Sequence, residues 1–148
     1  MMQMSMAPSD VETATARLEP GKGTIKGSAV LRQRGGRVVT CAGNEVFLIP
    51  ATESASKELR RIFGSDEGYV NRGGNVVTGG GRLVRPPQPN RSTACDPQGY
   101  FTFSNVRAGK WYVMTNVVWS ANGDYQGGTL LGTAEVAEGE ASEIVLSL

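Results

Sequence analysis

Apolar and polar positions alternate along most of this chain, and the alternation predicts strands. In "GTIKGSAVLRQ" Ile25, Ala29 and Leu31 fall at strand spacing around a central glycine. In "EVFLIP" Val46 and Leu48 occupy one side and Phe47 and Ile49 the other, so the run is apolar on both faces and suits a buried central strand closed by Pro50. "KWYVMTNVVW" gives a long strand from Lys110 to Trp119, and "TLLGTAEV" another after an Asn122-Gly123 hairpin. "SEIVLSL" ends the chain with Ile144, Leu146 and Leu148 on one face. Between Asp96 and Gly99 the order Asp-Pro-Gln-Gly predicts a β-turn. After it Phe101 and Phe103 point one way, into the core, and Tyr100 and Thr102 the other, towards a more polar face.

One segment breaks the pattern. In "ATESASKELRRIF" Thr52 or Ser54 can cap a helix, Leu59, Ile62 and Phe63 sit at i, i+3 and i+4, and Gly64 is a stop. The glycine- and proline-rich stretch that follows reads as a long decorated loop, with at most a frayed hairpin between Val76 and Val84. Residues 51–92 are therefore expected as an insertion. The small and polar residues before Gly23 read as a flexible lead-in, residues 1–22, ahead of a single domain, 23–148. About seven short strands with one short helix make the chain all-β, an antiparallel two-sheet sandwich.

Composition agrees with that class and narrows the chemistry. Twenty glycines and seven prolines in 148 residues, with 20% charged residues, describe a turn-rich domain of ordinary size. A formal net charge of +1 selects neither nucleic acid nor a membrane surface, and no apolar run is long enough for a transmembrane helix. The amino terminus lacks a basic start and a continuous apolar segment, so no signal peptide is expected within it.

Four stretches, "GTIKGSAVL", "AGNEVFLIPAT", "DPQGYFTFSNVRAGKWYV" and "GTAEVAEGEASEIVLSL", follow the order seen in carboxypeptidase regulatory-like domains, which the chain resembles. Asp96, Gly99, Phe101, Phe103, Gly109 and Tyr112 carry the turn-and-strand signature of that family. The resemblance implies a seven-strand Greek-key sandwich of prealbumin-like (transthyretin-like) type, working as an accessory or interaction module. That motif is a folding signature and specifies no chemistry.

The chain has no histidine, which removes histidine-based acid catalysis, Ser-His-Asp triads and the usual zinc sets. Transthyretin-like hydrolases of 5-hydroxyisourate depend on histidines and a characteristic C-terminal tail, and this chain has neither. No enzyme activity, cofactor or metal is expected. Cys41 and Cys95 are the only cysteines. A disulfide between them is expected, and with it a periplasmic, extracellular or cell-surface site; two buried free thiols in a cytoplasmic protein are the alternative.

Three binding functions compete. Arg60, Arg61, Arg72, Arg82, Arg85 and Arg91 make the helix end and loop basic, so contact with a protein partner or assembly through 51–92 and a sheet edge is the first expectation. Carbohydrate binding through exposed aromatics, Trp119 and Tyr125, is the second. A structural subunit of a surface filament or particle is the third.

Overall fold

The structure, a computed structural model, describes residues 8–33, 35–71, 74–75, 84–121 and 123–148. Its elements in chain order are α1 (Pro8–Arg17), β1 (Gly23–Arg32), β2 (Val38–Thr40), β3 (Glu45–Pro50), α2 (Glu53–Phe63), β4 (Gly68–Asn71) and β5 (Gly74–Asn75). They continue with β6 (Arg91–Ala94), β7 (Tyr100–Val106), β8 (Gly109–Ala121), β9 (Asp124–Val136) and β10 (Ala141–Leu146). The strands form two sheets, one ordered β10-β1-β2 with β7 also on β1, the other ordered β4-β9-β8-β3-β6 with β5 on β9. The all-β, two-sheet expectation holds, with more strand segments than the expected seven. Pairing is antiparallel except between β1 and β10, which run parallel from Thr24↔Ala141 to Ala29↔Leu146.

Between the sheets lies the main core, built from Ile25, Ala29, Leu31, Val46, Leu48, Phe101, Phe103, Trp111, Val113, Leu130 and Leu146 among others. Phe101 and Phe103 point inward as the alternation predicts, their rings edge to face at 6.1 Å. The central glycine of β1 has a packing reason: a Cβ on Gly27 would stand 2.6 Å from the Ile144 carbonyl oxygen and 2.6 Å from Phe101 Cζ. Its register partners on the two flanking strands, Phe101 of β7 and Ile144 of β10, fill the space a side chain would need.

A second core lies on the other face of the larger sheet, where α2 packs. Ala55 and Leu59 are buried against Ile49, Tyr112, Met114 and Leu131, with Ile62 and Phe63 alongside. This helix matches its sequence signals. The Thr52 side chain accepts from the Ala55 N–H at the N-terminus, and Gly64 at φ 80° closes the C-terminus with its N–H on the Arg60 carbonyl, 2.8 Å away. The strands β4 and β5 and the first half of β6 also fall within 51–92. The insertion is thus largely built into the sandwich, although the hairpin expected between Val76 and Val84 lies outside the described residues apart from Val84.

The amino-terminal lead-in is not wholly without structure, because α1 occupies part of it. Ala14 is fully buried and Leu18, four residues on, packs against the main core. The Asp10 carboxylate accepts from the Ser54 N–H at 2.8 Å, joining α1 to the first turn of α2. Arg17 lies over Trp111, 4.4 Å from the ring centroid, and donates to the Lys110 carbonyl at 2.8 Å.

Candidate functional site

Of the six arginines of the first expectation, Arg60, Arg61 and Arg91 are each engaged within the chain. Arg60 donates to Asp66 through Nε at 2.6 Å and Nη2 at 3.1 Å. Arg61 pairs with Glu58 on the same helix. Arg91 lies against Phe103 and donates from Nη2 to the Ser104 carbonyl at 2.9 Å, bridging β6 to β7. Arg85 is exposed, and Arg72 and Arg82 lie outside the described residues.

Asp66 is the centre of the densest polar group. Besides Arg60 it accepts from Lys110 Nζ at 2.9 Å and from the Tyr112 hydroxyl at 2.7 Å. These donors, Arg60 foremost, hold its carboxyl well below the usual carboxylate range. Lys110 is raised by its bond to Asp66, and burial pushes the Tyr112 phenol up. The group pins the end of α2 and the turn after it onto β8, so its chemistry is that of a clamp. A carboxylate with a depressed folded pKa stabilises above its unfolded value, about 3.9, and that contribution is lost as pH falls below it. Asp66→Asn is therefore expected to cost about 1–2 kcal/mol at pH 7 and to flatten the acid limb of stability between about pH 4 and pH 2, as read by urea unfolding at each pH.

The two tryptophans separate cleanly. Trp111 is in the core, with Nε1 donating to the Arg107 carbonyl at 2.9 Å. Trp119 is half-buried near the tip of the β8–β9 hairpin, packed on the margin of the main core, with Nε1 donating to Gln126 Oε1 at 3.2 Å. Gly127 lies beside it at φ 96°, where a Cβ would stand 2.0 Å from the Val117 carbonyl oxygen and 3.0 Å from Trp119 Cζ3, so the position takes only glycine. Tyr125 is on β9 opposite Ser120, and its side chain lies outside the described residues.

Cys41 and Cys95 are joined, as expected, by a disulfide with Cα atoms 5.7 Å apart, tying the turn after β2 to the turn after β6. Among the described residues no three cysteine or acidic side chains gather as metal ligands. No helix there is long and apolar enough to cross a membrane.

One surface was missed at the level of sequence. The outward face of the β10-β1-β7 sheet carries Tyr100, Ser28 and Val145 in one row and Thr102, Lys26 and Glu143 in the next. Tyr100 is 59% and Val145 67% exposed. The alternation had placed Tyr100 and Thr102 outward, but the row they join needs the strand order.

No family model and no curated protein matches the chain. Among solved structures, the crystal structure of a "putative carbohydrate binding protein" from Pseudomonas aeruginosa is similar in fold, with a TM-score of 0.70 over 99% of this chain and 100% of that one. At 22% identity the likeness is one of fold.

Proposed function

We propose that the protein is a non-catalytic binding module that takes carbohydrate at the hairpin end carrying Trp119. One observation carries the reading: of the two indoles, Trp119 alone reaches the surface, with an amide side chain, Gln126, at its edge. An aromatic face with an adjacent hydrogen-bonding group suits a pyranose ring, whose C–H face stacks while its hydroxyls bond sideways. The ligand class named for the Pseudomonas aeruginosa protein of similar fold supports the same choice. The carboxypeptidase regulatory-like signature at Asp96, Gly99, Phe101, Phe103, Gly109 and Tyr112 fits an accessory domain of this kind. The disulfide is compatible with an extracellular or periplasmic location.

Contact with a protein through the insertion has less to rest on, because α2 and β4 are turned onto the sheet and Arg60, Arg61 and Arg91 are engaged within the chain. Titration with a panel of neutral and acidic oligosaccharides, followed by tryptophan fluorescence, tests the proposal. Because Trp111 is sealed in the core, a ligand-dependent change reports Trp119. The expected result is saturable quenching in the wild type and at least about a tenfold loss of affinity in Trp119→Ala. An unchanged spectrum across the panel would refute it.

A further inference from the structure

The larger sheet has its outer face covered by α2, whereas the outer face of the β10-β1-β7 sheet is exposed among the described residues. Three of the five large hydrophobic side chains that stand exposed among those residues gather there. Val145 comes from β10, Tyr100 from β7, and Val38 from β2, opposite Arg32 at the end of β1. Half-buried Val30 lies between them on β1. Apolar side chains brought together from separate strands and rimmed by polar ones mark a contact surface.

Charge decides what covers it. Lys26 and Glu143 stand side by side in one row of this face, Lys26 paired in register with Glu143, and among the described residues neither makes an ion pair. An acidic or basic partner would gain from one charge and lose to the other. A second copy of this face, by contrast, supplies the opposite charge to both. With a two-fold axis running along the strands between β1 and β10, Lys26 faces the second copy's Glu143, Ser28 faces its Val145, and Tyr100 reaches over its β10. We propose that this sheet face is a self-complementary interface on which two copies of the chain associate.

The face spans about 15 Å across its strands and about 20 Å along them, from a strand spacing of about 4.8 Å and a rise of about 3.3 Å per residue. Such an area is below the roughly 800 Å² per partner of a standard interface, so the dimer is a weak one, micromolar or above. The contact lies away from Trp119 and does not depend on carbohydrate binding.

Sedimentation equilibrium of the full chain from about 1 µM to about 1 mM tests it. The wild type is expected to show a monomer–dimer equilibrium. Lys26→Glu and Glu143→Lys each place like charges together twice per dimer, so each alone is expected to weaken association about tenfold or more. Mixing the two variants is expected to restore a dimer, because each then presents the charges the other lacks. Both side chains are exposed, and unchanged far-UV circular dichroism and melting temperature confirm that the variants fold. A wild type that stays monomeric throughout the range would overturn the proposal. So would a dimer indifferent to both substitutions, or one that the mixture fails to restore. Oligosaccharide-dependent chemical shifts at Tyr100 in a monomeric wild type would give the face to a sugar instead.

Discussion

Replacing Cys41 and Cys95 together by alanine is expected to lower the unfolding free energy by about 4 kcal/mol, and the melting temperature by roughly 10 °C. The bond closes a loop with a sequence separation of 54, and a crosslink of that span removes much of the freedom of the unfolded chain. In the folded state it adds little that is not already held. The Cys95 N–H donates to the Asn44 carbonyl at 3.0 Å, the Gly43 N–H to the Cys95 carbonyl at 3.3 Å, and the Asn44 N–H to the Cys41 carbonyl at 2.8 Å. Those backbone bonds keep the two turns together, so the variant is expected to fold to the same sandwich and unfold at lower urea. Reduced wild type should match it closely, since both differ from the oxidised protein chiefly in the unfolded ensemble. Equal urea midpoints for oxidised and reduced protein would contradict the loop-entropy argument.

Local signals in this chain were legible where one stretch of sequence contains the whole cause. The Asp96 turn is one case: its carboxylate accepts from the Gln98 and Tyr100 N–H groups, both at 2.9 Å, and its carbonyl from the Gly99 N–H at 2.9 Å. α2 is another, with cap, apolar stripe and stop inside thirteen residues. β3 also showed its place, because a run apolar on both faces has to be covered on both, and it lies between β8 and β6 with Val46, Leu48 and Ile49 sealed.

What could not be read depends on distant partners. Tyr112 and Met114 are as buried as Trp111 and Val113 on the opposite face of β8, because α2, some fifty residues earlier, lies over them. Asp66 shows nothing unusual in sequence, and its donors Lys110 and Tyr112 come from the other side of the insertion. The parallel pairing of β1 with β10 joins the two ends of the domain, and alternation within either strand is silent about its neighbour. The outward face holding Lys26, Tyr100, Glu143 and Val145 becomes visible only once that pairing is known. The candidate carbohydrate site was half legible: Trp119 and Trp111 share a face by alternation, and only the ends of the strand distinguish the tryptophan at the hairpin tip from the one in the core.

That distinction sets up a large expected contrast between two substitutions of the same kind. Trp111→Ala is expected to destabilise by about 3–5 kcal/mol, the range for emptying a buried aromatic site, whereas Trp119→Ala should cost about 1–2 kcal/mol because its ring is only half covered. The loss at Trp111 has a second component, since that ring is the seat of α1. Arg17 rests on it, its guanidinium already partly desolvated so that burial lowers its pKa, and donates to the neighbouring Lys110 carbonyl. Gly109, at φ 131°, makes room for that guanidinium, for a Cβ there would stand 2.8 Å from Arg17 Nη2. Without the indole, Arg17 loses the cation–π contact and the surface it rests on, so the helix should loosen together with the Ala14 and Leu18 contacts. Amide hydrogen exchange over residues 10–18 is therefore expected to speed up at least about tenfold in Trp111→Ala under conditions where α2 remains protected. Protection of α1 that survives the substitution would show that Ala14, Leu18 and the Asp10–Ser54 bond hold the helix without the ring.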